Sequence, residues 1–145
     1  MKHYKLGYTQ GVFDMFHIGH LNLLKNAKAH CDFLIVGVNS DELVQQYKNK
    51  KPLIGEEDRK TIVENIKAVD QAIIVHTLDK VIQWQNLHFD AIFIGGDWEG
   101  NARWRQTEED LKKFKVDVCY LPHTPGISST LLRPIKADAI DDKGE

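Results

Sequence analysis

Cysteine is scarce in this chain: there are two, Cys31 and Cys119, far apart and outside any C-x-x-C pair. That argues against a disulfide framework and points to two reduced, partly buried thiols, with a single disulfide as the lesser alternative. Long apolar runs are missing as well. No stretch approaches the ~18 apolar residues of a membrane span, and the opening "MKHYKLGYTQ" lacks the apolar core of a secretory leader. A cytoplasmic protein without a membrane segment is the expectation. Nor is there an excess of one charge, since 19 Lys and Arg stand against 21 Asp and Glu, a formal net charge of -2. Nothing in that balance draws the molecule to nucleic acid or an anionic surface, and the basic residues form no stripe with stacking aromatics. A site for an anion must therefore be a local cluster of cations. No G-x-G-x-x-G follows the first apolar run, which disfavours a flavin- or dinucleotide-binding carrier.

What is present is an alternation of strand and helix signals. "KLGYTQGVF" gives a short strand ending at Gly11, and Leu21, Leu24 and Ala27 fall three apart in a helix from Ile18 to Ala29. "DFLIVGVN" (Asp32–Asn39) reads as a strand covered on both faces, and Ser40 as the N-cap of a short helix to about Gln46. A loop, "YKNKKPLIGEEDR", precedes a helix over Glu56–Ile66. Further strands are expected at Gln71–His76, Asp90–Gly96 and "VDVCYL", with helices over Asp79–Leu87, Thr107–Lys113 and Ser128–Lys136. The pattern predicts one α/β domain over residues 1–136, a Rossmann-like parallel sheet of about five strands with helices on both faces, followed by an acidic tail at 137–145. In such sheets ligands bind beyond the carboxyl ends of the strands. Three chemistry-bearing stretches lie there: Gly11–His20, Gly95–Gly100 and His123–Thr130.

His17 and His20 are one helical turn apart at a predicted helix start. A helix N-terminus offers N–H groups and partial positive charge to a phosphate, and two imidazoles there could donate to phosphoryl oxygens as charge develops. Gly19 between them removes a side chain where a nucleotide would approach. Two surface histidines, or a metal site of Asp14, His17 and His20, are the alternatives; the spacing is not that of H-E-x-x-H.

"GVFDMFHIGH" resembles the G-x-F-D-x-x-H-x-G-H motif of the cytidylyltransferases, and "HTPGISST" is similar to their R-T-x-G-I-S-T-T stretch. "NSDELV" and "GGDWEG" look like the glycerol-phosphate branch, and the resemblance runs to about Arg133. It implies direct transfer of CMP from CTP to a small phosphorylated alcohol, with Mg²⁺ accompanying the phosphates and a homodimer as the assembly. Carried over residue by residue, Val12, Phe13, His17, Gly19 and His20 would hold CTP, and Gly126, Ile127, Ser128, Ser129 and Thr130 would wrap its outer phosphates. Asp97 and Trp98 would lie near the nucleoside, and Asp14 beside the acceptor. "KNKK" resembles a K-x-K element in which Lys48 faces the acceptor and Lys50 faces CTP, with Lys51 able to replace either. Lys80 matches a further acceptor lysine.

Arg59 shares a helical face with Ile62, Val63 and Ile66, and a cation at the head of that stripe is explained if it reaches an anion in the crevice, or snorkels to solvent. One departure stands out: His123 occupies the place of the family's arginine, and a neutral imidazole does not replace a guanidinium fork. Arg133 or Arg103 would compensate, and the choice of CTP over ATP stays open. Arg103, Trp104 and Arg105 form either a segment over the site or a polar helix start. Other phosphate acceptors and a nucleotide-binding module without turnover remain as alternative functions.

Overall fold

A computed structural model describes residues 2–122. Within them the chain runs β1 (Tyr4–Gly11), α1 (Ile18–Lys28), β2 (Cys31–Asn39), α2 (Asp41–Lys48), α3 (Glu56–Glu64), β3 (Gln71–Val75), α4 (Lys80–Leu87), β4 (Ala91–Gly95), α5 (Ala102–Lys112) and β5 (Asp117–Leu121), with one 3-10 turn at Gly96–Trp98. The five strands form one sheet in the order β3-β2-β1-β4-β5, every neighbouring pair parallel. From β1 the chain winds outward through β2 to β3, then crosses back to β4 on the other side. The strand order therefore reverses between β1 and β4.

Both faces are covered, which is why the strands are nearly continuous in apolar residues. On one face Leu24 and Ala27 of α1 and Val63 of α3 pack with Leu34, Val36, Val38, Phe93 and Leu121. On the other, Trp104 and Leu111 of α5 meet Tyr8, Ile35, Ile92 and Ile94, with Val81 and Trp84 of α4 at the margin. Gly37 of β2 allows this second layer to close: a Cβ there would collide with the Tyr8 hydroxyl, which donates to Gln10 Oε1 at 2.6 Å. Both cysteines are buried and unbridged.

Most helix starts are set by side-chain caps. Ser40 accepts the Leu43 N–H, and Asp79 accepts those of Val81 and Ile82. The helix expected from Thr107 begins earlier, at Ala102, because Asn101 accepts the N–H groups of Arg103 and Trp104 and the Trp104 ring is buried. Arg103–Arg105 is thus the first part of α5. Among the described residues no helix is long and apolar enough to cross a membrane. The expected helix at Ser128–Lys136 and the acidic tail lie outside the described residues.

Candidate active site

The switch in strand order falls between β1 and β4, and these two strands part company early. Their ladder contains only Gly7–Ala91 and Tyr8–Ile92, whereas β1 stays paired with β2 as far as Gly11. Past Tyr8 the link to β4 is a side chain, Thr9 Oγ1 donating to the Phe93 carbonyl at 2.8 Å. An opening at the carboxyl ends of β1 and β4, where strand order reverses, is the usual ligand position in open α/β sheets.

The turn from β1 into α1 leaves the sheet at this end. Phe13 and Met15 hold φ of 55° and 50°, left-handed values that cost a non-glycine residue ~1–3 kcal/mol and persist only where surrounding bonds impose them. Here those bonds come from the residue between. Asp14 is fully buried, and its carboxylate accepts the N–H of Leu53 and of Ile54, both at 3.0 Å.

His17 then ends the turn as N-cap of α1. Its Nδ1 accepts the Gly19 N–H at 3.0 Å, while His20 Nδ1 accepts the His17 N–H at 3.1 Å, a capping box built from two histidines. The rings stack with centroids 3.9 Å apart, and Phe13 and Phe16 pack against His20 at 5.6 and 5.2 Å. An imidazole that accepts at Nδ1 carries its proton on Nε2. Both rings therefore have the tautomer that makes Nε2–H a donor, at the positive end of a helix. Gly19 lies between them.

Two residues expected at the substrates are engaged with the protein itself. Asp14 holds the backbone that follows "KNKK" rather than standing open to an acceptor. Arg59, far from snorkelling, is 1 % exposed. Its guanidinium donates to the carbonyls of Ile54 (2.7 Å), Val12 and Asn39 (each 2.8 Å) and pairs with Asp41 at 2.7 Å. A buried cation needs this number of partners, and three backbone carbonyls supply them where the crevice was expected to supply an anion. Lys80 is also buried: its Nζ donates to the Leu78 carbonyl at 2.7 Å and lies 5.2 Å from the Trp104 ring centroid.

Lys48 closes α2 half-buried, with its Nζ 5.9 Å from the Tyr47 ring, and Lys50 and Lys51 are exposed just beyond. Past β4, Gly96 packs so closely on Leu121 that a Cβ would lie 3.1 Å from its carbonyl oxygen. Asp97 is exposed there, and Trp98 is half-buried beneath Arg103 at 5.4 Å. The expected contacts of His123, Gly126, Ile127, Ser128, Ser129, Thr130 and Arg133 lie outside the described residues.

A buried polar row joins the carboxyl ends of β1 and β2, and no motif in the sequence marks it. Gln10 Nε2 donates to Asn39 Oδ1 and to the Thr77 carbonyl, each at 2.9 Å, and Asn39 Nδ2 donates to the Tyr47 hydroxyl at 3.1 Å. The available signal was a polar residue closing each buried strand, in "YTQG" and "VGVNS".

The family model described as cytidylyltransferase-like matches residues 8–135, nearly the whole chain. The chain belongs to the cytidylyltransferase-like family. Among its relatives is a glycerol-3-phosphate cytidylyltransferase of Bacillus spizizenii, 40% identical over 126 residues that cover 86% of this chain and 92% of the relative. The protein of the same name from Staphylococcus aureus is 36% identical, covering 86% and 89%. In structure, the lipopolysaccharide core biosynthesis protein of Thermoplasma volcanium matches with a TM-score of 0.69 and 26% identity, over 83% of this chain and 97% of that one. As a cytidylyltransferase-like chain, this protein carries the doubled histidine at the switch between β1 and β4.

Proposed function

We propose that this protein joins CMP from CTP to glycerol phosphate, giving a CDP-alcohol and pyrophosphate. Relatives of that activity matched over most of their length support the reading. The observation that carries it is the pair of Nε2–H donors at the start of α1, where β1 and β4 separate.

The reaction needs no covalent enzyme intermediate. An oxygen of the acceptor phosphate forms a bond to the α-phosphorus of CTP in line, and the bond from that phosphorus to the bridging oxygen breaks. Pyrophosphate leaves with the electron pair. Charge grows on the α-phosphoryl oxygens, and His17 and His20 donate to them from rings whose Nδ1 atoms are held by the caps. The backbone at Val12, Phe13 and Gly19 lines the nucleotide's approach. Lys48 and Lys50 neutralise the acceptor phosphate and the triphosphate, with Lys51 able to substitute, and Asp97 and Trp98 flank the nucleoside. His123, Gly126–Thr130 and Arg133 complete the triphosphate site by motif.

Mg²⁺ belongs to the triphosphate in this proposal. Among the described residues no group of three His, Cys, Asp or Glu side chains could hold a metal ion, and both carboxylate oxygens of Asp14 are taken by backbone amides. A homodimer in the cytoplasm completes the proposal.

Pyrophosphate release tests it, using CTP or ATP against glycerol 3-phosphate, glycerol 2-phosphate and phosphocholine. Release with CTP and a glycerol phosphate is expected. Release with no pair would leave a nucleotide-binding module.

A further inference from the structure

Asp14 and Arg59 come from different elements, yet both grip one peptide. Asp14 Oδ1 accepts the Ile54 N–H at 3.0 Å, and Arg59 Nε donates to the Ile54 carbonyl at 2.7 Å. Asp14 adds the Leu53 N–H, and Arg59 reaches on to the Val12 carbonyl, immediately before the left-handed Phe13. The segment carrying Lys50 and Lys51 is thereby tied twice to the turn that presents His17 and His20. Its far end is latched as well. Asp41 and Glu56, at the starts of α2 and α3, exchange bonds: Asp41 N–H to Glu56 Oε1 at 2.8 Å, and Glu56 N–H to Asp41 Oδ2 at 3.3 Å. Asp41 also pairs with Arg59.

This arrangement is more than a loop needs to stay ordered. Leu53 is 57 % exposed and Lys50 and Lys51 face solvent, so little apolar burial fixes the segment. Its position depends on two buried polar side chains, one from the histidine turn and one from α3. A carboxylate that accepts two amides and a guanidinium that donates to three carbonyls have little tolerance for displacement.

We propose that Asp14 and Arg59 are positioning residues forming a clasp on the Ile54 peptide, which holds the lysine loop and the histidine turn as one rigid unit around the bound phosphates. The inference rests on the proposed nucleotidyl transfer. It assigns both residues to alignment of the phosphate ligands and neither to contact with substrate.

Asp14→Asn is the direct test, since it keeps the shape and replaces one acceptor with an NH₂ group facing a backbone N–H. Amide exchange at Leu53 and Ile54 should rise at least tenfold while that of β4 stays unchanged. The KM values for CTP and for the acceptor should rise together, about tenfold or more, with kcat within about threefold. A collapse of kcat with unaltered exchange would make Asp14 a substrate contact and overturn the proposal. So would faster exchange with unchanged KM values, which would reduce the clasp to a structural tie. If the wild type turns over no substrate pair, the functional reading fails by itself; calorimetric CTP affinity then replaces KM and must fall at least tenfold in the variant. A second measurement needs no variant. In the wild type, saturating CTP should slow exchange at Leu53 and Ile54 together with that at Gly19, and slowing at Gly19 alone would contradict the coupling.

Discussion

His17 and His20 hold each other in place: their rings stack at 3.9 Å, and the Nδ1 of His20 accepts the backbone N–H of His17. His17 caps α1, and in the proposed reaction it also donates to phosphate. Alanine removes both. His17→Ala should lower turnover by about 100-fold or more and stability by roughly 0.5–2 kcal/mol. His17→Asn keeps a good capping side chain, so urea unfolding should return close to wild type while turnover stays low. Recovery of turnover along with stability would make the histidine a cap alone.

Gly37 gives a stability test independent of the reaction. Gly37→Ala drives a methyl group into the buried Tyr8 hydroxyl and should cost about 1–3 kcal/mol in denaturant unfolding. Adding Tyr8→Phe removes the obstructing oxygen and should recover part of the loss. A double variant no better than Gly37→Ala would show that the strain lies elsewhere.

The cysteines should behave as core residues. Burial pushes the Cys31 thiol up to about 11 and raises Cys119 too, although the Tyr4 hydroxyl opposes the shift at Cys119. At pH 8 Cys31 is therefore held as the thiol. A disulfide-exchange reagent should find almost no reactive thiol in the folded protein and two after denaturation. Rapid reaction of one thiol in the native state would contradict this packing.

Acid should weaken the opposite end of the sheet. Burial alone would raise the Asp70 carboxyl, but the Lys28 ammonium at 2.6 Å and the Leu34 N–H at 2.8 Å together hold it below its ordinary value. A depressed folded value means that the charged carboxylate stabilises the fold above the unfolded value, near 3.9, and that this contribution fades as pH falls through the folded one. Asp70→Asn should be less stable than wild type at neutral pH, and the gap should close in acid. A gap constant from pH 7 to pH 2 would remove the ion pair from the account.

The strand and helix alternation was legible where a buried apolar run is closed by a polar residue and a cap, as β2 is at Asn39 and Ser40. The histidine turn was legible because its chemistry is local: a cap, a glycine and a three-residue spacing. Asp14 and Arg59 were not, since what they do depends on Ile54, 40 residues beyond Asp14, and no local pattern encodes that meeting. The left-handed Phe13 and Met15 carry no signal either, because nothing in an aromatic or thioether side chain announces a positive φ. The early start of α5 was half legible: Arg103–Arg105 read equally as a segment over the site or a polar helix start, and the Asn101 cap decides for the helix.

The most direct measurement is a crystal structure of the protein with CTP. The Nε2 atoms of His17 and His20 should lie about 3 Å from oxygens of the α-phosphoryl group, between the carboxyl ends of β1 and β4. A triphosphate seated away from that opening, with neither imidazole touching its innermost phosphate, would contradict it.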